Sequence, residues 1–198
     1  VDEDIIDGSQ DTTITLAVVD GSSDNNFDSL SDQTVTAATA DNDSAGFTKS
    51  KSAVSVSETG TTDTFTVVLN VQPASDVVIS VTSGDTGEAT VSPSPLTFTD
   101  SNWDTPQTVT VTGVDDDTVD GSQETTITLA VVDASSDNNF DSLSDQTVTA
   151  ATADNDSAGF TKSKSAVSVS ETGTTDTFTV VLNIQPASDV VISVTSGD

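Results

Sequence analysis

Apolar residues in this chain alternate with threonine and serine, and the alternation comes in short bursts. Seven bursts fall within residues 45–157. Val54 and Val56 mark the first, Phe65, Val67 and Leu69 the second, and Val77, Ile79 and Val81 the third. The fourth is broken, with Val91 separated from Leu96 and Phe98 by Pro93 and Pro95. Val109 and Val111 mark the fifth, Ile127, Leu129 and Val131 the sixth, and Val148 and Ala150 the seventh. A period of two puts every second side chain on one face, so each burst predicts a half-buried strand. Threonine on the other face suits the pleat, because its branched β-carbon packs well there. No stretch carries the 3.6-residue period of a helix.

The whole pattern recurs every 113 residues. Residues 1–85 align with 114–198 without a gap, and six pairs differ: Glu3/Asp116, Ile5/Thr118, Ile6/Val119, Asp11/Glu124, Gly21/Ala134 and Val71/Ile184. A fixed period of this kind marks an array of modules. Seven strands in one period is the size of an immunoglobulin-like sandwich. The predicted fold is therefore all-β, a tandem series of immunoglobulin-like antiparallel β-sandwich modules. Breaks fall at Asp43–Ala45 and Asp156–Ala158. They divide the chain into the end of one module (1–44), a whole module (45–157) and the start of a third (158–198), as though a window had been cut from a longer array. The two end pieces cannot make one sandwich together, because the counterpart of residues 86–113 is missing.

Composition narrows the chemistry. There are 33 acidic residues against 4 lysines, no arginine and no histidine, for a formal net charge of -29. Nucleic acid is excluded as a partner, since phosphate neutralisation needs Lys and Arg. Cysteine is absent, so there is no disulfide, no thiolate nucleophile and no zinc–sulfur site. Without His, Cys, Tyr or Arg, catalytic triads and most acid–base pairs cannot be assembled, and the chain reads as a non-enzyme. The available ligands are hard oxygens, which suit calcium. No run of 18 apolar residues is present to span a bilayer.

Strand parity sorts the acids. If successive strands alternate in direction, the first–second, third–fourth and fifth–sixth connections and the end of the seventh strand share one pole. Those segments hold Glu58, then Asp85 and Glu88, then Asp115, Asp116, Asp117 and Asp120, and finally Asp154 and Asp156. Gathered carboxylates repel and raise one another's proton affinity, and divalent cations relieve the conflict. The candidate metal ligands are Glu58, Asp85, Asp115, Asp116, Asp117, Asp120, Asp154 and Asp156. In the end pieces they are Asp2, Asp4, Asp41, Asp43, Glu171 and Asp198. Strand alternation should turn Asp115 and Asp117 to one side. The four lysines, Lys49, Lys51, Lys162 and Lys164, follow the module boundaries and are placed to pair with acids of the preceding pole. Phe140 and Leu143 are expected to anchor the long connection before the seventh strand, and Trp103 to pack a loop.

Val56-Ser57-Glu58, the acidic turn Asp115–Asp117 before a Thr/Ile/Leu strand, and the terminus Asp154-Asn155-Asp156 together make the module resemble the Calx-beta domain. That calcium-binding sandwich occurs in sodium–calcium exchangers and in giant bacterial surface proteins. The resemblance spans residues 45–157. It implies calcium binding by Glu58, Asp85, Asp115, Asp116, Asp117, Asp154 and Asp156, with Asn155 standing where the family has an acid. The resulting expectation is a calcium-stiffened spacer in a long, secreted or surface-anchored adhesin. Its partners are the neighbouring repeats, and cell-surface glycans or proteins are reached through domains outside this segment. Two other readings fit the same residues: a segment of a self-assembling extracellular filament, and a ligand-binding adhesive module.

Overall fold

The computed structural model describes residues 3–197; Asp2 and Asp198 lie outside the described residues. Strands β1 (Gln10–Leu16) and β2 (Gln33–Thr39) form a hairpin in the first piece. The middle module holds β3 (Phe47–Lys49), β4 (Ala53–Ser57), β5 (Thr62–Leu69), β6 (Val77–Ser83), β7 (Ala89–Ser92), β8 (Leu96–Phe98), β9 (Gln107–Gly113), β10 (Gln123–Val131) and β11 (Gln146–Ala153). Strands β12 (Phe160–Lys162) and β13 (Val180–Leu182) pair in the last piece.

The middle module is an immunoglobulin-like β-sandwich. A five-stranded sheet, β4-β11-β10-β6-β8, faces a four-stranded sheet, β3-β5-β9-β7. The inward residues of the alternating bursts meet between them; Val54, Phe65, Ile79, Val111, Ile127 and Val148 are among the buried core. Phe140 is fully buried, and Leu143 and Trp103 pack against the same core, as the sequence indicates. The Trp103 carbonyl also accepts from the Leu69 N–H at 3.1 Å.

Three features differ from the sequence reading, each for a local reason. β3 is a strand too short for alternation to reveal, with Phe47 its one apolar contribution to the core. The broken fourth burst belongs to both sheets: β7 pairs with β9, and β8 with β6. Pro93 and Pro95 interrupt the ladder between them, and the chain changes sheets there. Finally, β4 and β11 run the same way and pair in parallel, so the larger sheet is mixed.

The loop between β10 and β11 is fastened by Asp137, which is buried. Its carboxylate accepts from the Ala74 and Ser75 N–H groups at 2.7 and 3.2 Å and from the Asn139 N–H at 2.9 Å. The lysines do not reach the preceding pole in the ion pairs found among the described residues. Lys51 pairs with Asp63 at 2.6 Å, and Lys164 pairs with Asp176. Asp63 sits on β5 and also accepts from Ser55 on β4, so it offers a fixed carboxylate within the lysine's own module.

The end pieces keep the local geometry of their counterparts without the packing. The β1–β2 register, Gln10↔Thr39 to Leu16↔Gln33, is the β10–β11 register shifted by one period. Yet Ile14 is 50% exposed and its counterpart Ile127 is fully buried. Phe160 is 57% exposed against 4% for Phe47.

Candidate metal centre

Connections from four separate parts of the chain close over one end of the middle sandwich. β4 ends at Ser57, and Glu58 follows in a tight turn in which the Gly60 N–H bonds to the Ser57 carbonyl at 3.0 Å. β9 ends at Gly113 and leads into residues 114–122, which carry no regular structure. A Cβ on Gly113 would lie 2.2 Å from the Ser57 carbonyl oxygen. Only glycine lets these two strand ends meet so closely, and that approach sets the Glu58 turn beside the acidic loop.

Two acidic triplets result. Glu58, Asp154 and Asp156 each present an oxygen within 4.8 Å of the others, and so do Glu88, Asp116 and Asp120. Glu58 is 2% exposed. It accepts from the Asn155 N–H at 3.0 Å, and the Asn155 amide donates to Asp115 at 2.8 Å. Asn155 thus ties the Glu58 turn to the acidic loop as a neutral donor where another carboxylate would add repulsion. Asp154 is held by the Asp156 and Gly121 N–H groups at 2.6 and 2.8 Å.

The protonation equilibria register the crowding. The N–H bonds from Asp156 and Gly121 hold Asp154 below the usual carboxylate value. Glu58 is raised: the Asn155 N–H works against the shift, but burial and the charges of Asp154, Asp116 and Asp156 outweigh it. Glu88 is raised by burial and then by Asp120, Asp116, Asp85 and Glu58. Asp156 is raised by burial and then by Asp154, Asp117, Asp115 and Asp116. Oxygens of Glu88 and Asp156 are buried without a hydrogen-bond partner. A buried unpaired carboxylate oxygen is costly in an apolar protein interior, and a cation held there would supply the missing partner. The donor set is oxygen only, which fits a hard divalent cation.

The structure distributes the candidate ligands unevenly. Glu58, Asp154 and Asp156 share one triplet, and Asp116 and Asp120 share the other. Asp115 and Asp117 stand beside Asp156, outside both triplets; their segment is not a strand, so the alternation that would align them does not operate. Asp85 accepts from the Gly87 N–H at 2.8 Å and acts on Glu88 through its charge. Glu88 was missing from the sequence-derived ligand set, although it shares the Asp85 connection. Asp41 repeats the Asp154 arrangement, accepting from Gly8 and Asp43 N–H groups at 2.8 Å each. Glu171 lies in a turn like that of Glu58 but outside the two triplets. The Asp4 carbonyl accepts from the Gln72 N–H at 2.7 Å.

That last bond belongs to a joint between repeats. Ile5 bridges to Gln72, just after the buried Val71. One period later Thr118 and Val119 line a hollow with Ile184, Gln185 and Pro186. The acidic loop therefore carries carboxylates at 116 and 120 and, between them, side chains that line a hollow shared with the next repeat.

No family model matches the chain, and no curated protein matches it. Solved structures with partial likeness include domains 4 and 5 of the S-layer protein SbsC, at 22% identity over 62% of this chain and 63% of that one, with a TM-score of 0.39. Another is SSP-19, an MSP-domain-like protein of Caenorhabditis elegans, at 18% identity over 54% of this chain and 97% of that one, with a TM-score of 0.36. The E. coli chaperone DraB matches at 7% identity over 56% of each chain, with a TM-score of 0.40. Among the described residues, no helix is long and apolar enough to cross a membrane.

Proposed function

We propose that this chain is a stretch of a calcium-stiffened spacer, built from Calx-beta-like repeats, within a long extracellular adhesin or surface protein. Its role is mechanical rather than catalytic, in keeping with a chain that has no His, Cys, Tyr or Arg. One observation carries the reading. The loop that groups Asp116 and Asp120 with Glu88 also places Thr118 and Val119 on a hollow shared with the following repeat. Calcium between the carboxylates fixes that loop, and a fixed loop fixes the joint. Without the ion, mutual repulsion among the acids loosens the loop, and the repeats swing. Backbone pairing at Gln72 holds neighbours together in either state, so the cation sets stiffness rather than connection.

Small-angle scattering of the full chain, in calcium and in chelator, tests this. The maximum dimension is expected to grow and the flexibility to fall when calcium is added. Asp156→Asn should weaken calcium binding in a calorimetric titration while raising the melting midpoint in chelator, because it removes a crowded charge. Equal scattering profiles with and without calcium, or a titration without heat, would sink the proposal.

A further inference from the structure

The acidic loop ends on a dipeptide whose own atoms can react with each other. Asp120 and Gly121 are both exposed, in a segment without regular structure. Gly121 sits at a φ of 75°, and having no side chain it leaves its backbone nitrogen open to approach. An aspartyl carboxyl one residue before a glycine lies within reach of that nitrogen. Ring closure needs the two atoms to meet in a reactive geometry, and here each is tied elsewhere. The Asp120 carboxylate belongs to the triplet with Glu88 and Asp116. The Gly121 N–H donates to Asp154 at 2.8 Å, and Asp154 belongs to the triplet with Glu58 and Asp156. The two reacting groups are thus held by different halves of the candidate metal centre.

We infer that Asp120-Gly121 is a site of spontaneous β-aspartyl formation, and that a cation in the centre suppresses it. In the first step the Gly121 nitrogen bonds to the Asp120 Cγ and gives up its proton, while the bond from Cγ to the carboxyl hydroxyl breaks. One water leaves and a five-membered imide remains. In the second step a water attacks the Asp120 backbone carbonyl carbon, and the C–N bond there breaks. The chain then runs through Cγ, and the free carboxylate sits on Cα. One water is released and one consumed, so no co-reactant is needed and the mass is unchanged. The product has a longer backbone and a carboxylate on a shorter arm, so it no longer meets Glu88 and Asp116 as before. The loop that places Thr118 and Val119 on the hollow shared with the next repeat is reshaped with it. Conversion therefore records the time a joint has spent without its ion. The reactivity stands on the dipeptide itself; its control by calcium rests on the metal centre proposed above. The chain carries its own comparison. Asp20-Gly21 is the same dipeptide in the 3-10 turn Asp20–Ser22, outside both triplets.

Peptide mapping by mass spectrometry, with β-linked and ordinary isomers separated, follows the 198-residue chain through incubation at neutral pH in calcium, in chelator and in urea. The β-linkage at 120 is expected to accumulate severalfold faster in chelator than in calcium, approaching the rate of the unfolded chain. The rate at 20 should be the same in calcium and in chelator. Asp154→Ala frees the Gly121 N–H and should raise the rate at 120 in chelator as well as in calcium. Asp120→Glu lengthens the side chain and should stop conversion at 120 while leaving it at 20. Aged protein returned to calcium should give a smaller heat in a calorimetric titration than fresh protein. No conversion at 120 in chelator, while the urea sample converts there, overturns the inference. So does a calcium effect of equal size at 20 and 120, or an Asp154→Ala rate no different from the parent chain's. Equal rates at 120 in calcium and chelator overturn the control by the ion. If calcium still binds that sample in the titration, the metal centre stands without the control; if it does not bind, the centre falls as well.

Discussion

Gly113→Ala tests whether the approach of β4 to β9 builds the candidate metal centre. The added methyl would stand 2.2 Å from the Ser57 carbonyl oxygen, 2.7 Å from its carbonyl carbon and 3.1 Å from its nitrogen. All three are backbone atoms, so no side chain can swing aside. One strand end must retreat by roughly 1 Å to restore an ordinary contact, and overpacking of this kind costs about 1–3 kcal/mol. In a module of this size each kcal/mol lowers the melting midpoint by about 4–8 °C. The retreat also separates Glu58, the residue after Ser57, from Asp115 and Asp116, which follow Gly113 closely. Metal oxygens must converge to ~2.3–2.6 Å of a calcium ion, so calcium affinity should fall together with stability. Thermal melting in chelator and calorimetric titration of the same protein measure the two effects. An unchanged midpoint, or a lost midpoint with calcium affinity intact, would refute the link between the glycine and the centre.

Two further outcomes follow from the burial pattern. Glu58, Glu88 and Asp156 hold protons more tightly in the folded chain than in the unfolded one. Their contribution to stability is therefore present at low pH and lost as pH rises through their raised values. In chelator the melting midpoint should climb as pH falls from neutral toward 4.5, the ordinary glutamate value. It should then drop below 3.8, where Asp154 and Asp63, held low, take up protons; a midpoint that falls steadily from neutral pH contradicts this. Asp137→Ala leaves the Ala74 and Ser75 N–H groups without their acceptor and should cost about 1–3 kcal/mol in urea unfolding. Asp24→Ala, one period earlier and on an exposed loop, should leave the middle module's unfolding unchanged; equal losses at the two positions would contradict the burial argument.

Much of the sandwich was legible because its physics is local. Phe65, Val67 and Leu69 point inward on β5 for the reason their spacing indicates, and strand direction alone brought Glu58, Asp116 and Asp154 to a shared pole. The same parity pointed the first and seventh strands one way, but that β4 and β11 pair with each other lay outside it. What stayed hidden depends on distance through space. β3 is defined by its partner β5, not by its own three residues. Glu88 joins a triplet because β7 pairs with β9 and delivers it to the acidic loop, a register no spacing rule reveals. Asn155 looks like a missing acid in the sequence, whereas in the fold it is the donor that bridges Glu58 and Asp115.

Sequence drift between the repeats is confined. Four of the six differing pairs, at 3/116, 5/118, 6/119 and 71/184, fall on the acidic loop or on the residue it meets. Ile5 and Ile6 go with Val71, while Thr118 and Val119 go with Ile184. Each boundary thus has its own set of side-chain volumes, and every interior is interchangeable. Near-identical neighbours are prone to misassembly between modules as they fold. In such a chain the boundaries are the one place where order along the array can be written, as an address that tells each repeat which neighbour is its own.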